Sequence, residues 1–566
     1  MLFLLLLFSP TSCLVKETNG MFTTERTENV SLGGPLTLTC TWLGGQGGCQ
    51  LLPPSGTSQV SGDLPEASSN DPRPDSVSCS RHVSRLRPGH LGDWRCQFSD
   101  KWRGVRLELV IPVTISPLED IRLPASLEPL HYNVLWRPDM ESQIEKSRYR
   151  SEFTVAVRME VRAVEDSQRL TFHADQLTPL MVPEIRRIRS HSHGHTHEQV
   201  QPAEMEVEKL VFDFRRTFVH VDLKWQTLFA GSEYQISLVF AADGTEDQAK
   251  KGEGFQPREC SGVKCWFTMF MTTFARNAFP CLDEPAMKAT FSISVVRKRE
   301  YKAMSNMPLL TTVPDLKHGY VVDTFDTTLR MSTYLVAVAV VYDFKSISAG
   351  DNVTVWAPSK EIEAGTDMAQ PNISIFRLLQ AGRGNFAARI GKEVMRYLTE
   401  YFGVADPMPK NDHLYSRGLR HEGGLLNGME NWGLVMYQPN VLMFNPSENN
   451  TYYLKTVIHE CVHSWFGNLV TFKWWDQVWL NEGLTTYFEH VGMDHIDPDI
   501  GAWEKFFDTD INVAMNADCA SPGLSALSGK PTDTKSFKDK MDGPLSYSKG
   551  SCIVRMMESI LTEGIR

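Results

Sequence analysis

The chain of 566 residues has a net charge of −11, with 42% hydrophobic and 22% charged residues. This composition is close to the average of globular proteins, so it excludes a mainly disordered chain and a polytopic membrane protein. The mild negative charge does not favour nucleic acid as a partner, and the length suggests about three or four domains.

The first residues predict a leader segment. Met1–Phe8 is a short apolar run without a preceding positive charge, and small residues follow it. This pattern resembles a secretory signal peptide over residues 1–16 and is too short to span a bilayer. Five of the eleven cysteines precede residue 100, and N-glycosylation sequons begin at Asn29, Asn352, Asn372 and Asn449. Both features favour an oxidising compartment, so we predict a secreted or cell-surface protein.

Residues 17–117 predict a small β domain. Period-two alternation marks Pro35–Trp42 and Val105–Thr114. The region resembles an immunoglobulin-like sandwich with Cys40 on strand B and Cys96 on strand F. No tryptophan lies between residues 43 and 93, where strand C of such a domain carries one. Another small disulfide-bonded β domain is therefore an alternative, and in either form the region is a candidate binding site for a protein partner.

Residues 119–344 predict a mostly antiparallel β domain. Phe153–Val161 and Ala289–Val295 alternate clearly, and Ser332–Val341 has the apolar character of one buried strand. Four alternate histidines lie in a polar stretch, which favours a solvated hairpin tip over a metal site. They are His191, His193, His195 and His197.

From about residue 345 the apolar spacing becomes helical. The predicted helices are Ile375–Phe402, Thr451–Gly467, Val478–Met493 and Ser551–Ile565. They predict a mostly helical domain over residues 345–566.

Two histidines lie four residues apart in the pentad His459-Glu460-Cys461-Val462-His463. Positions i and i+4 share one helix face, so both imidazoles can bind one zinc ion, with Glu460 beside them as base for a metal-bound water. Glu482 follows His463 by 19 residues, on the next predicted helix. Two histidines and one glutamate leave a coordination position open, which is typical of catalytic zinc.

These motifs resemble those of the gluzincin M1 aminopeptidases, the aminopeptidase N-like group. Asn427–Gly433 is similar to the family's Gly-Ala-Met-Glu-Asn exopeptidase motif, Ala275–Pro285 to its N-terminal signature, and Ser546–Gly550 to its catalytic tyrosine region. The resemblance covers about residues 119–566. It implies a multidomain fold with a saddle-shaped antiparallel β domain over 119–344 and a thermolysin-like α/β, mostly helical, catalytic domain over 345–566. Since members usually continue further, we also expect a chain that is incomplete at the end of its catalytic domain.

The resemblance implies a zinc aminopeptidase with one Zn²⁺ per chain, acting on peptides with a free N-terminus. It makes His459, His463 and Glu482 the metal ligands, Glu460 the general base and Tyr547 the donor to the oxyanion. Glu430 is expected to bind the substrate's α-ammonium. The substrate-binding segment implied by the resemblance is Asn427, Gly428, Met429, Glu430 and Asn431, in which Asn427 and Gly428 replace the usual Gly-Ala.

Met269 stands where members usually carry a glutamine that helps to bind the α-ammonium, so we expect weaker aminopeptidase activity than the other motifs suggest. Cys461 is expected to be a buried, unreactive residue and Cys281 to be free. Cys260 and Cys265 are expected to form a short loop disulfide.

Two other functions compete with a peptidase. One is a catalytically weak or inactive peptidase-fold protein that acts as an adhesion or binding module. The other is an epoxide hydrolase-like activity, which one branch of the resembling family has, although no residue here points to it.

Overall fold

A computed structural model gives the architecture of the chain. The described residues are the backbones of strands between residues 14 and 113, and residues 121–141, 152–189, 203–213, 216–243, 252–260, 262–350, 352–363, 384–421, 424–443, 451–520, 527 and 544–563. They form two compact units. The first comprises Met1–Asp139, Arg150–Asp247 and Arg276–Asp283, and the second Met140–Tyr149, Gln248–Ala275 and Glu284–Arg566.

Seven strands precede residue 114 in the first unit. They are β1 (Leu14–Asn19), β2 (Phe22–Thr27), β3 (Leu36–Leu43), β4 (Gly47–Leu52), β5 (Ser76–Val83), β6 (Gly92–Asp100) and β7 (Arg106–Val113). Strands β1, β2, β3 and β5 follow one another in one sheet, and β4, β6 and β7 are neighbours in another. Only backbone is described here, so the immunoglobulin-like domain stays a prediction. Residues 1–13 of the predicted leader lie outside the described residues.

The described residues in the rest of the first unit form nine strands. They are β8 (Leu127–Pro138), β9 (Glu152–Ala163), β10 (Arg169–His173), β11 (Leu177–Pro179), β12 (Glu184–Arg189), β13 (Ala203–Met205), β14 (Val207–Asp213), β15 (Phe218–Leu223) and β16 (Glu233–Asp243). In the main sheet the order is β13-β12-β16-β9-β8 with antiparallel pairing. Every second residue of β9 is buried, which confirms the alternation in the sequence. The four alternate histidines of residues 191–197 lie outside the described residues.

A buried ion pair closes the first unit around the segment Arg276–Asp283. Arg276 Nε donates to Asp283 Oδ2 at 2.9 Å, and its Nη1 donates to Thr217 Oγ1 at 2.8 Å. Both charged side chains are at most 4% exposed. Opposite charges in such a place are stable only as a pair, because burying either one alone is costly.

The second unit begins with seven more strands. They are β17 (Gly254–Cys260), β18 (Val263–Met269), β19 (Thr290–Lys298), β20 (Lys302–Ser305), β21 (Leu309–Pro314), β22 (Tyr320–Phe325) and β23 (Val338–Val341). One sheet has the order β17-β18-β23-β20, and β22 lies between β19 and β21. The expected disulfide Cys260–Cys265 joins β17 to β18.

The prediction of one strand over Ser332–Val341 is wrong in its first half. Thr333–Leu335 is a 3₁₀ turn, and only Val338–Val341 is a strand, although the whole segment is buried. The reason is the side chain of Asn306, which donates to Leu335 O and accepts from Ala337 N. These bonds satisfy the backbone where a neighbouring strand would otherwise do so.

Among the described residues, a five-stranded mixed sheet, a separate two-stranded sheet of β27 and β28, and eight α-helices complete the second unit. The strands are β24 (Phe344–Gly350), β25 (Val353–Pro358), β26 (Asn411–Tyr415), β27 (Arg420–His421), β28 (Gly424–Leu425), β29 (Gly428–Met429) and β30 (Leu434–Tyr437). The helices are α1 (Ser359–Glu363), α2 (Asn385–Phe402), α3 (Pro439–Leu442), α4 (Thr451–Val462), α5 (Val478–Ile496), α6 (Ala502–Phe506), α7 (Asn512–Ala520) and α8 (Gly550–Glu563). The sheet order is β24-β25-β26-β30-β29, and one apolar core joins it to α2, α4 and α5.

The change from strands to helices along the chain confirms the broad architecture expected from the sequence. Helices α2, α5 and α8 match the predicted helical segments to within three residues wherever those segments are described, whereas α4 ends at Val462, five residues before the predicted end at Gly467. No helix among the described residues is long and apolar enough to cross a membrane. The saddle shape and the domain boundaries stay predictions.

We expect Asp283→Ala to lower the free energy of unfolding by about 3–5 kcal/mol, because it leaves the Arg276 guanidinium buried without its partner. The exposed pair of Lys224 and Glu206 in the same unit is the matched control, and Glu206→Ala should cost about 0–1 kcal/mol. Denaturant unfolding of both variants measures the difference. Equal losses would show that the Arg276–Asp283 pair is not a structural requirement.

Candidate active site

Helix α4 carries both histidines of the pentad on one side. Leu454, Val457, Ile458 and Cys461 are buried in the core of the second unit. This packing leaves His459 and His463 on the other side, with ring centroids 4.7 Å apart. The helical path extends to the second histidine, because His463 N donates to His459 O at 3.3 Å.

Helix α5 brings Glu482 to the two imidazoles, as the sequence predicted. Its Oε2 lies 3.3 Å from His459 Nε2 and 3.7 Å from His463 Nε2. The ligand atoms of these three residues all lie within 4.8 Å of one another. Two imidazole nitrogens and one carboxylate oxygen therefore converge on one point.

The far side of each imidazole has its own hydrogen-bond partner. His459 Nδ1 lies 2.8 Å from Glu489 Oε2, and Lys455 Nζ lies 2.7 Å from the other oxygen of Glu489. His463 Nδ1 lies 2.9 Å from the carbonyl oxygen of Phe466. Since carboxylate and carbonyl oxygens only accept, each Nδ1 carries the proton. Both Nε2 atoms are thereby directed at Glu482.

Glu489 and Lys455 were missed in the sequence analysis. A signal for Glu489 was present, because it follows Glu482 by seven residues on one helix and so lies on the same face two turns later. The partner of Lys455 is on another helix, and its position is visible only once α4 packs on α5.

Four buried carboxyl groups surround the imidazoles: Glu430, Glu460, Glu482 and Glu489. Burial raises the pKa of Glu460 well above its ordinary value; His459 opposes this rise, while Glu430 and Glu482 add to it. Burial also favours a high pKa for Glu482, but His463 and His459 outweigh it and hold that pKa below its usual value. The site thus gathers four carboxyl groups around two imidazoles, an environment suited to a cation.

The segment Asn427–Asn431 forms one wall of the site. Gly428 and Met429 make up β29, at the edge of the sheet. Glu430 follows and is 3% exposed. Its backbone oxygen accepts from Asn468 Nδ2 at 2.9 Å, and its Oε1 accepts from Asn481 Nδ2 at 3.4 Å.

The neighbours of Glu430 in this segment face different surroundings. Met429 and Asn431 are both buried. Asn427 is partly exposed and contacts the hydroxyl of Tyr452 on α4 through its side-chain amide. This contact ties the edge strand to the helix that carries the pentad.

Tyr547 lies on a helical turn, Leu545–Lys549, directly before α8. Its ring stacks on that of His459 with centroids 5.9 Å apart. Burial, together with the neighbouring carboxylates and a hydrogen bond to Glu482, raises the pKa of Tyr547 well above its ordinary value. The hydroxyl therefore keeps its proton at neutral pH and is available as a donor.

Comparison with known proteins gives the family of the chain. Residues 128–335 match the Peptidase M1 N-terminal domain and residues 386–565 the Peptidase family M1 domain. Aminopeptidase Q of Mus musculus is 32% identical over 468 residues, which cover 79% of this chain and 77% of that protein. This chain belongs to peptidase family M1.

Other M1 relatives are longer: endoplasmic reticulum aminopeptidase 2 of Bos taurus is 29% identical over 79% of this chain but only 43% of its own length. Aminopeptidase N of Bos taurus is 32% identical over 64% of this chain and 36% of its own length, so the chain spans less than half of these two relatives.

The M1 motif residues Gly483 and Gly550 mark the place where α5 crosses the start of α8. A Cβ on Gly483 would lie 2.7 Å from the Cα and carbonyl carbon of Gly550. Because both contacts are with backbone, neither helix can yield by a side-chain rotation. This close crossing is what brings Tyr547, three residues before Gly550, next to Glu482, one residue before Gly483.

Three other residues singled out in the sequence of this M1 chain are buried. Cys461 is buried in the core, and burial raises the pKa of its thiol, as expected for an unreactive residue. Cys281 is free and buried, also as expected. Met269 ends β18 opposite Gly254 and is buried; its presence at an amine-binding subsite stays a prediction.

We expect Gly483→Ala to lower the free energy of unfolding by about 1–3 kcal/mol, because the added methyl group meets the backbone of Gly550. Helix propensity alone predicts the opposite sign, a gain of up to about 1 kcal/mol. Denaturant or thermal unfolding gives the sign of the change in the free energy of unfolding, which decides between the two effects. A stabilised variant would show that the two helices do not cross this closely.

Proposed function

We propose that this chain is a zinc-dependent aminopeptidase that removes N-terminal residues from peptides. The observation that carries the proposal is the convergence of His459, His463 and Glu482 within 4.8 Å, with the buried carboxyl of Glu460 on the same helix. Membership of peptidase family M1 supports hydrolysis of peptides as the reaction class.

The three converging residues fit zinc. Two neutral imidazoles and one carboxylate form a catalytic set with an open position, whereas a structural site would be closed by four protein ligands. The Nδ1 protons directed at Glu489 and at the carbonyl of Phe466 leave both Nε2 lone pairs for the metal. A zinc ion held by these residues would supply Lewis acidity toward the scissile carbonyl and toward a bound water.

Glu460 is the proposed general base. Its carboxyl is buried, and its Oε2 has no hydrogen-bond partner among the described residues. This oxygen is free to accept a proton from the attacking water and to deliver it to the leaving amine. Tyr547, protonated and stacked on His459, is placed to donate to the oxygen that becomes negative in the transition state.

Glu430 is the proposed recognition group for the free N-terminus. Burial raises the pKa of Glu430, and Glu482 adds to the rise although His463 opposes it. An α-ammonium group placed against this carboxyl would supply the missing positive charge through a charge-assisted hydrogen bond. Such a contact restricts cleavage to the first peptide bond.

We also propose that the chain works in an oxidising, extracytoplasmic compartment, at the cell surface or secreted. The Cys260–Cys265 disulfide supports this location. Asn352, the first residue of a sequon, is exposed and therefore accessible to glycosylation. Binding of a protein partner through residues 17–117 stays a prediction.

The purified chain should hydrolyse aminoacyl anilides, lose this activity with a chelator and regain it with Zn²⁺. His459→Ala should lose tight zinc binding, because it removes one of three ligands. Glu460→Gln should keep about one zinc per chain and lose turnover by a factor of about 10²–10⁴, because the base is not a ligand. Metal analysis and steady-state kinetics measure both.

The two variants also separate a peptidase from an adhesion module. A wild-type chain that binds zinc but gives no more turnover than Glu460→Gln on any anilide would contradict the proposed activity. Stoichiometric tight zinc in His459→Ala would contradict the ligand assignment instead.

We expect Glu489→Gln to weaken zinc binding about 10- to 100-fold, because it removes the charge that orients His459 and makes it more basic. Competition with a chromophoric chelator measures the affinity without any turnover. Glu400→Gln is the matched control, since Glu400 is 64% exposed and pairs with Arg396 away from the site. The same affinity in both variants would show that Glu489 does not act on the metal ligand.

A further inference from the structure

Gly428 leaves space that the side chain of Glu460 occupies. A Cβ placed on Gly428 would lie 2.2 Å from Glu460 Oε1, 2.5 Å from its Cδ and 2.7 Å from its Cγ. These are the three nearest atoms, so the carboxylate of Glu460 lies directly against the backbone of β29. No side chain larger than hydrogen fits at residue 428 while Glu460 is in this position.

The backbone conformation does not explain why residue 428 is glycine. Its φ lies outside the left-handed region that favours glycine, and it pairs as an ordinary antiparallel strand residue with Tyr437. The motif of the resembling family has alanine at this position. Alanine would suit the strand equally well, so the close approach of the Glu460 side chain is what distinguishes glycine from alanine here.

The edge strand cannot easily retreat from Glu460. Asn427 O accepts from Gln438 N at 3.0 Å, and the Asn427 amide contacts Tyr452 on α4. The strand is therefore held on one side by the sheet and on the other by the helix that carries Glu460. When a methyl group is added, the part free to move is the end of the Glu460 side chain.

The contact also leaves one oxygen of Glu460 available. Its Oε1 lies against Gly428, whereas Oε2 has no hydrogen-bond partner among the described residues. A buried carboxylate oxygen without a partner is costly unless water or substrate completes it. The contact at Gly428 thus involves Oε1 and leaves Oε2 as the oxygen for the proposed proton transfer.

We infer that Gly428 is a positioning residue, which sets the place of the Glu460 carboxylate by leaving room for it. The inference rests on the proposed role of Glu460 as general base. Relieving the contacts of an added methyl requires the carboxylate to move by roughly 1 Å, and a displacement of that size can reduce a rate by about 10²-fold. Glycine, in place of the alanine of the family motif, therefore allows the Glu460 carboxylate to stay in this position.

Gly428→Ala should lower kcat about 10- to 100-fold on aminoacyl anilides and leave KM within about threefold. Its zinc content should equal that of the wild-type chain, because no ligand is touched. A merely structural defect would instead lower the amount of folded enzyme, which active-site titration or zinc content per chain detects.

A second measurement does not depend on activity. Glu460→Ala removes the three atoms that the new methyl group would meet. Gly428→Ala should therefore lower Tm by about 2–6 °C in the presence of Glu460 and leave it unchanged in the Glu460→Ala background. The difference between the two backgrounds is the coupling that the inference requires.

Unchanged kcat in Gly428→Ala, a rise in kcat, or an equal loss of Tm in both backgrounds would each overturn the inference. A wild-type chain without peptidase activity would contradict the proposed function. In that case the Tm change caused by Gly428→Ala, compared with and without Glu460, still decides whether Gly428 sets the position of Glu460.

Discussion

The burial of four carboxyl groups around two imidazoles is the constraint on which the second unit depends. Glu430, Glu460, Glu482 and Glu489 are each at most 6% exposed. Isolated buried carboxylates would be strongly destabilising, so the fold has to bring compensating groups to them. Helix α4 supplies His459, His463 and Lys455, and α5 supplies two of the carboxylates themselves. The packing of α4 on α5 is therefore both a structural contact and the assembly of the site.

Close contacts at glycine residues fix the positions of side chains in the site. Where α5 crosses α8, Gly483 and Gly550 allow the helices to touch, and Tyr547 is brought to Glu482 as a result. Where β29 passes α4, Gly428 allows the strand to touch the side chain of Glu460. In both places a single methyl group would move a side chain of the site, because protein interiors have few voids to absorb it.

The departures from the M1 motifs fall outside the proposed zinc ligands. His459, His463 and Glu482 are all present in this chain. Asn427, Gly428 and Met269, in contrast, differ from the residues that the family motifs lead one to expect at the substrate-facing positions. This distribution fits the proposed aminopeptidase, with the family's metal ligands and a different surrounding for the proposed base and peptide.

The sequence by itself predicted the pentad, Glu482 and Tyr547 as residues of the site, and most of the elements that carry them. The spacing of His459 and His463 is a property of one helix turn, and the alternation in β9 is a property of one strand, so local periodicity was sufficient for both. Only the tertiary structure decided the groups that act across elements: Lys455 with Glu489, Gly483 with Gly550, and Gly428 with Glu460. It also decided that Ser332–Val341 begins as a turn, because the side chain of Asn306 satisfies its backbone. These contacts depend on distances between segments remote in the chain, which no local pattern records.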